Sequence, residues 1–278
     1  HLAHIKVVGA AHMRQDMLKK SQGHGDRLAV QPLEQRGARN LANRAGPARA
    51  RGGAAPVTVE HTDLAEKFAG LEATPHLFVP VGNGAAMTAD AKYDMSDGVI
   101  ELDGNAKVVS YFAPTQWRSD NASDFGTTGV VLLPDGTAFI NGKSGIAYLL
   151  KQGALGGITS SAPNIAVCRA FGGPTYANGL VYVPCTDGLR AVRINGTSMS
   201  VAWHATPPGS AVIGGGVVLA ADAHAGDLYA LDTGSSGAVK AKVALGDTTT
   251  RFATPAFGDD GHAYVGTQNG KLVIVATS

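Results

Sequence analysis

The sequence predicts an all-β fold, a β-propeller built of four-stranded blades, and three observations lead there. The chain is weakly charged and rich in turn residues: 16% Asp, Glu, Lys and Arg and 37 glycines in 278 residues, with 44% apolar side chains to fill a core. A helical bundle has more charge and far less glycine, and a disordered chain has fewer apolar residues. Next, one unit recurs: a β-rich run, a polar turn ending in glycine, and a second β-rich run. Finally, four of these units carry an upstream turn signal, at Asp135-Gly136, Asn178-Gly179, Gly215-Gly216 and Asp260-Gly261. Such dipeptides accept positive φ and favour tight hairpins.

The recurring segments are LFVPVGNG (Leu77–Gly84), AFINGKSGIAYLL (Ala138–Leu150), VYVPCTDGLRAVRI (Val181–Ile194), VLAADAHAGDLYALD (Val218–Asp232) and AYVGTQNGKLVIVA (Ala263–Ala276). Their turn glycines, Gly84, Gly145, Gly188, Gly226 and Gly270, are spaced by 61, 43, 38 and 44 residues. Each unit reads as strand, turn, strand, turn, strand, with a fourth strand following in places such as Val201–His204 and Val239–Leu245. A period near 40 with about four short strands is the sequence signature of propeller blades. The apolar runs Val181-Tyr182-Val183 and Leu228 to Leu231 suit strands packed between neighbouring blades, which together bury what one sheet cannot. Five units are recognisable, enough for a five-bladed ring or, as the chain's first residues suggest, for part of a larger one.

Those first residues differ from the rest. Residues 1–55 hold 10 Lys and Arg against 3 Asp and Glu, whereas residues 56–278 hold 13 against 19. The first aromatic residue is Phe68, so the basic arm has nothing to stack on bases, and no nucleic-acid partner is expected. Its apolar positions keep no steady helical period. Residues 1–73 are therefore expected to be a basic, low-order or foreign N-terminal segment, with a short helix around Leu64–Leu71, and residues 74–278 to be the propeller. The chain opens on His1, which suggests a fragment, a processed chain or a misjudged reading frame. No apolar run reaches the ~18 residues of a membrane helix.

Cys168 and Cys185 lie 17 apart, without the further ligands a zinc site needs, leaving one disulfide or two buried thiols. Cys185 ends the run Val181–Pro184, and Cys168 precedes the strand that pairs with it across Asn178-Gly179. A bridge is expected in an oxidising compartment. Other apparent motifs fail on spacing. Gly136 to Ser144 ends in Gly-Lys-Ser but has five residues between its glycines, one too many for a phosphate loop. His204, His224 and His262 fall in three different units, and Ser160-Ser161 lacks the Gly-x-Ser-x-Gly elbow.

Leu102-Asp103 with Lys107 to Tyr111, Leu231-Asp232 with Gly237 to Lys242, and Ala191 to Trp203 resemble the repeat A-L-D-x-x-T-G-x-x-x-W of the pyrroloquinoline quinone (PQQ)-like propellers, the quinoprotein alcohol dehydrogenase-like superfamily. Within it, the phrases YDMSDGVIELD, YFAPTQW, TTGVVLLPDG and VYVPCTDGLRAV are similar to secreted or envelope PQQ-like repeat proteins of actinobacteria. The resemblance covers residues 74–278. It implies an extracytoplasmic location and a place for chemistry. In quinoprotein dehydrogenases an Asn ligates calcium, an Asp acts as base, and the ion polarises the quinone. By resemblance Asn83 (in Val81-Gly82-Asn83) is the metal and cofactor candidate, Asp90 the catalytic candidate with Asp94 behind it, and Trp117 a second cofactor residue. The departures weigh against an enzyme. Arg118 stands where an Asp is expected after Trp117, no adjacent cysteine pair exists, and the blades that supply the Glu ligand and stacking Trp are not recognisable. The expected function is a non-catalytic binding or scaffold module with protein or small-molecule partners on its loops. The alternatives are a degenerate or truncated PQQ- and calcium-dependent dehydrogenase and an envelope protein assembly scaffold.

Overall fold

The computed structural model describes residues 76–84, 90–118, 124–234, 236–258 and 260–277, together with the backbone of residues 5–12. The helix suggested around Leu64–Leu71 and most of the basic arm lie outside the described residues. The first described strand is β1 (Ile5–His12). Blade 1 is built on β2 (Leu77–Val81), β3 (Gly98–Leu102) and β4 (Val108–Pro114). Blade 2 follows with β5 (Val131–Leu132), β6 (Thr137–Asn141) and β7 (Ile146–Lys151), then β8 (Gly157–Thr159) and β9 (Asn164–Ala166). Blade 3 comprises β10 (Thr175–Ala177), β11 (Leu180–Cys185), β12 (Gly188–Asn195) and β13 (Ser198–Ala205). Blade 4 comprises β14 (Ala211–Gly214), β15 (Val217–Asp222), β16 (Asp227–Asp232) and β17 (Val239–Ala244). Blade 5 contains β18 (Ala256–Phe257), β19 (His262–Gly266) and β20 (Lys271–Thr277). Among the described residues these form five four-stranded sheets. The chain is a β-propeller of four-stranded blades.

Two strands complete blades other than the one their sequence position suggests. β8 leaves blade 2 and pairs in parallel with β4, Phe112 opposite Gly157 and Pro114 opposite Thr159, as the fourth strand of blade 1. β1 pairs antiparallel with β20, from Ile5 opposite Thr277 to His12 opposite Lys271, and completes blade 5. The sequence groups residues 5–12 with the arm. The structure instead makes them part of the propeller, because the β-branched run Ile5, Val7, Val8 finds an unpaired strand edge on β20.

The core lies between blades. Side chains alternate across a strand, and the central strands use both faces. Val181, Val183 and Cys185 of β11 meet Val131, Phe139 and Leu149 of blade 2, while Leu180 and Tyr182 meet Val218 and Ala220 of blade 4. Val217, Leu219 and Ala221 then face Val265, Val273 and Val275 of blade 5. Ala138 and Ile140 face Val99 and Phe112 of blade 1. Burial on both faces explains why β11 is buried throughout whereas β17 alternates. Among the described residues no such cluster joins blade 5 to blade 1.

Polar contacts also hold the blades together. Glu101 on β3 is fully buried; Oε1 lies 2.6 Å from His76 Nδ1, and both oxygens accept the Gly153 N–H at 2.9 Å. Ser110 Oγ accepts the Leu155 N–H at 2.7 Å. These bonds seat the loop that carries β8 onto blade 1. Between blades 3 and 4, Tyr182 Oη donates to the Thr233 carbonyl at 2.8 Å. The Trp203 ring packs over Gly237 and leaves no room for a side chain there, and the φ of +60° is strained for any residue with one.

Candidate binding face

Antiparallel pairing puts the turns between second and third strands at the same end of the blades as the segments that lead from one blade to the next. The hydrogen bonds confirm it. Val167 N–H donates to Gly145 O at 2.7 Å, Leu245 N–H to Gly226 O at 2.8 Å, and Gln268 N–H to Thr248 O at 2.9 Å. Residues 82–84 and 90–97 of blade 1, between β2 and β3, share this end: a side chain on Gly126, in the 3-10 turn Phe125–Thr127, would come 3.0 Å from Gly82 N.

Here the inter-blade segments bind one another in succession. Gly172 N–H donates to Thr127 O at 2.8 Å, and Thr127 Oγ1 donates to Ala170 O at 3.1 Å. Ser210 Oγ accepts the Gly173 N–H at 3.0 Å and donates to Arg251 O at 3.1 Å. Ala211 N–H donates to Gly173 O at 3.2 Å. Gly172 sits at φ +101°, and a Cβ there would lie 2.7 Å from Arg251 O, so glycine is required. Four connecting segments thus form one platform, and Ser210, which is fully buried, is its central polar link.

The Cys168–Cys185 disulfide, with Cα atoms 5.7 Å apart, anchors the platform to β11. Beside it Phe171 N–H donates to Pro184 O at 3.0 Å and Thr186 N–H to Arg169 O at 3.0 Å. Phe171 is thereby fixed at the surface. The Arg251 guanidinium lies 4.9 Å from its ring centroid, and Phe252 meets it edge-on at 6.5 Å with 56% of its own surface exposed.

The acids nearby are largely engaged. Asp124 lies 3.6 Å from Lys143 Nζ. Asp187 accepts a two-pronged bond from Arg190, at 2.6 and 2.8 Å, which holds its carboxyl at about 2, well below the usual range, against the opposing effect of burial. Asp247 accepts the Thr248 and Asn269 N–H groups at 2.8 and 3.1 Å. Arg169 and Arg251 have no carboxylate partner among the described residues.

The residues suggested by the quinoprotein resemblance cluster at the blade 1 corner of this face. Asn83 and Asp90 are exposed between β2 and β3, and Asp94 accepts the Ser96 N–H at 3.1 Å. Trp117 is only 3% exposed: Tyr93, also between β2 and β3, packs edge-on at 4.9 Å, and the Arg118 guanidinium covers the indole at 4.8 Å. Arg118 is held there by donating to Ala91 O at 2.6 and 3.0 Å. Burial, then the neighbouring Tyr111, Asp94 and Asp97, push the Tyr93 phenol well above the ordinary tyrosine range. Trp117 is therefore a structural pillar that offers no open face to a planar quinone. Among the described residues no three His, Cys, Asp or Glu side chains converge as a metal site. Placed so, Trp117 does not fit the role of a residue that covers a bound quinone.

Sequence reasoning missed Phe171, Arg251 and Phe252. The available signal was an Arg-Phe pair placed in an otherwise polar connection, where apolar side chains have no core to join.

No family model matches the chain, and no curated protein matches it. Its fold is similar to solved β-propeller structures. One is BBS1N in complex with ARL6DN, at 16% identity over 74% of this chain and 62% of that one, TM-score 0.47. Another is virginiamycin B lyase from Staphylococcus aureus, at 8% identity over 65% and 59%, TM-score 0.47. A third is BamB from Moraxella catarrhalis, at 12% identity over 65% and 67%, TM-score 0.38. The chain spans 62% and 59% of the length of the first two. Among the described residues no helix is long and apolar enough to cross a membrane.

Proposed function

We propose that this chain is a non-catalytic binding module of the PQQ-like repeat type that acts outside the cytoplasm and engages a protein partner through the face carrying Phe171, Arg251 and Phe252. The observation that carries this reading is the platform itself. Connecting segments of successive blades are cross-linked by hydrogen bonds and anchored to β11 by a disulfide, yet the side chains they hold outward are an aromatic ring and a cation. A rigid backbone presenting such groups suits recognition, because little ordering entropy remains to be lost on binding. The disulfide supports an oxidising compartment. The repeat residues behind the family resemblance support the PQQ-like type: Trp203 and Gly237 meet at a blade junction.

The test places a photo-crosslinking amino acid at position 252 and, as a control, at Thr197 in the turn between β12 and β13 on the opposite end. The protein is irradiated in cells that export it. A discrete adduct from position 252 alone supports the reading; equal or absent adducts at both positions refute it. Incubation with PQQ, calcium and an alcohol is expected to leave a redox dye unreduced, and reduction above the enzyme-free rate would restore the dehydrogenase reading.

A further inference from the structure

Resting on the binding-module reading, we infer that the partner segment seated on this face is an acidic peptide, its carboxylates meeting Arg251 and Arg169 and an apolar side chain meeting Phe252. Charge complementarity leads there. Asp124, Asp187 and Asp247 each have a donor: Lys143, Arg190 and backbone N–H groups respectively. Arg169 is exposed and Arg251 half-exposed, and neither has a carboxylate partner among the described residues.

The Arg251 guanidinium is already oriented. Stacked on Phe171, with no carboxylate partner among the described residues, it can present its edge N–H groups to a carboxylate two-pronged, the geometry in which arginine binds carboxylates best. Its carbonyl accepts the Ser210 hydroxyl at 3.1 Å, so this platform bond does not depend on its side chain. Phe252 adds an exposed apolar surface next to the cation, as in interface centres that join an aromatic anchor to an arginine. A nucleic acid would also satisfy cations and rings. However, residues 56–278 carry 13 basic against 19 acidic side chains, so beyond this patch the propeller itself repels a long polyanion, and the basic residues 1–55 include no aromatic ring to stack on bases. A short acidic segment meets only the patch.

The test uses fluorescence anisotropy with three labelled probes: a short peptide of Asp and Glu with one central Phe, the same peptide with Lys replacing every acid, and a single-stranded oligothymidine. The expected result is saturable binding of the acidic peptide alone, weakening as salt shortens the reach of charge below ~8 Å. Arg251→Ala should weaken it ~10-fold, the size of one charge-assisted contact, and Arg251→Lys by less. Phe252→Ala should weaken it with no change in salt dependence. Unchanged melting temperatures would show that all variants fold. Indifference to Arg251→Ala, no saturable binding of the acidic peptide, or preference for the lysine peptide or the oligonucleotide overturns the assignment. A crosslink from position 252 combined with any of those outcomes retains the binding module and rejects only the acidic partner.

Discussion

Trp203 Nε1 donates a 2.8 Å hydrogen bond to the carbonyl oxygen of Gly234, a residue of the following blade. The same indole lies over Gly237, so a single side chain both bonds and packs the next blade's turn. Gly237→Ala forces a left-handed backbone onto a residue with a Cβ and drives that Cβ into the ring. It should cost ~1–3 kcal/mol. Trp203→Phe loses the hydrogen bond, worth ~1 kcal/mol, and should be milder than Trp203→Ala, at ~3–5 kcal/mol. Urea unfolding measures all three, and a Gly237→Ala midpoint equal to wild type would reject this account of the junction.

The disulfide closes a loop of sequence separation 17, for which the chain-entropy model gives ~3 kcal/mol. Reduction, or Cys168→Ser with Cys185→Ser, should lower the unfolding free energy by about that amount. It should also speed amide exchange at Phe171 and Thr186, whose bonds flank the bridge. Thiol titration of unreduced, denatured protein should find no free thiol.

Removing Glu101 leaves His76 and the Gly153 N–H facing a cavity. Glu101→Ala should destabilise the protein by ~3–5 kcal/mol, as expected when one partner of a buried polar pair is lost. The loss should be local first, appearing as faster hydrogen exchange at Gly153 and Leu155 before the rest of blade 2. Uniform exchange across the blade would argue against a latch.

Asp187 supplies a pH dependence. Its folded value of about 2, set chiefly by the Arg190 hydrogen bonds, lies below the unfolded one. Its contribution to stability is therefore fully present above the unfolded value, near pH ~4, and is lost as pH falls toward 2. The pair is solvent-exposed on the Asp187 side, 60% by side chain, so screening should hold the contribution below ~1 kcal/mol. Carboxyl NMR titration should place Asp187 near 2 in the native protein and return it to the ordinary range in Arg190→Gln.

The strands were legible because repetition and alternation are local. Val181 to Cys185 reads as a buried strand from its own residues, and Asn178-Gly179 announces its turn. β1 was not legible: Ile5, Val7 and Val8 are too few to stand out against a basic arm, and their partner lies at the far end of the chain. β8 was equally hidden, since Gly157-Ile158-Thr159 has no strand signature until β4 lies beside it. At the site, Trp117 is a cofactor candidate by resemblance alone, because sequence shows its chemistry but not that Arg118 folds back over it. The Arg251–Phe171 contact joins residues 80 positions apart, one in the connection from blade 2 to blade 3 and the other in that from blade 4 to blade 5, and no local pattern encodes it.

The donation of β8 to blade 1 puts the molecule's repeats out of phase with the sequence's. A cut between the first two recurring units would strip an edge strand from the piece before it and leave an orphan segment on the piece after it. Blades 1 and 2 should therefore be gained, lost or transplanted only as a pair. During synthesis, blade 1 must wait with β4 uncovered until Thr159 has left the ribosome.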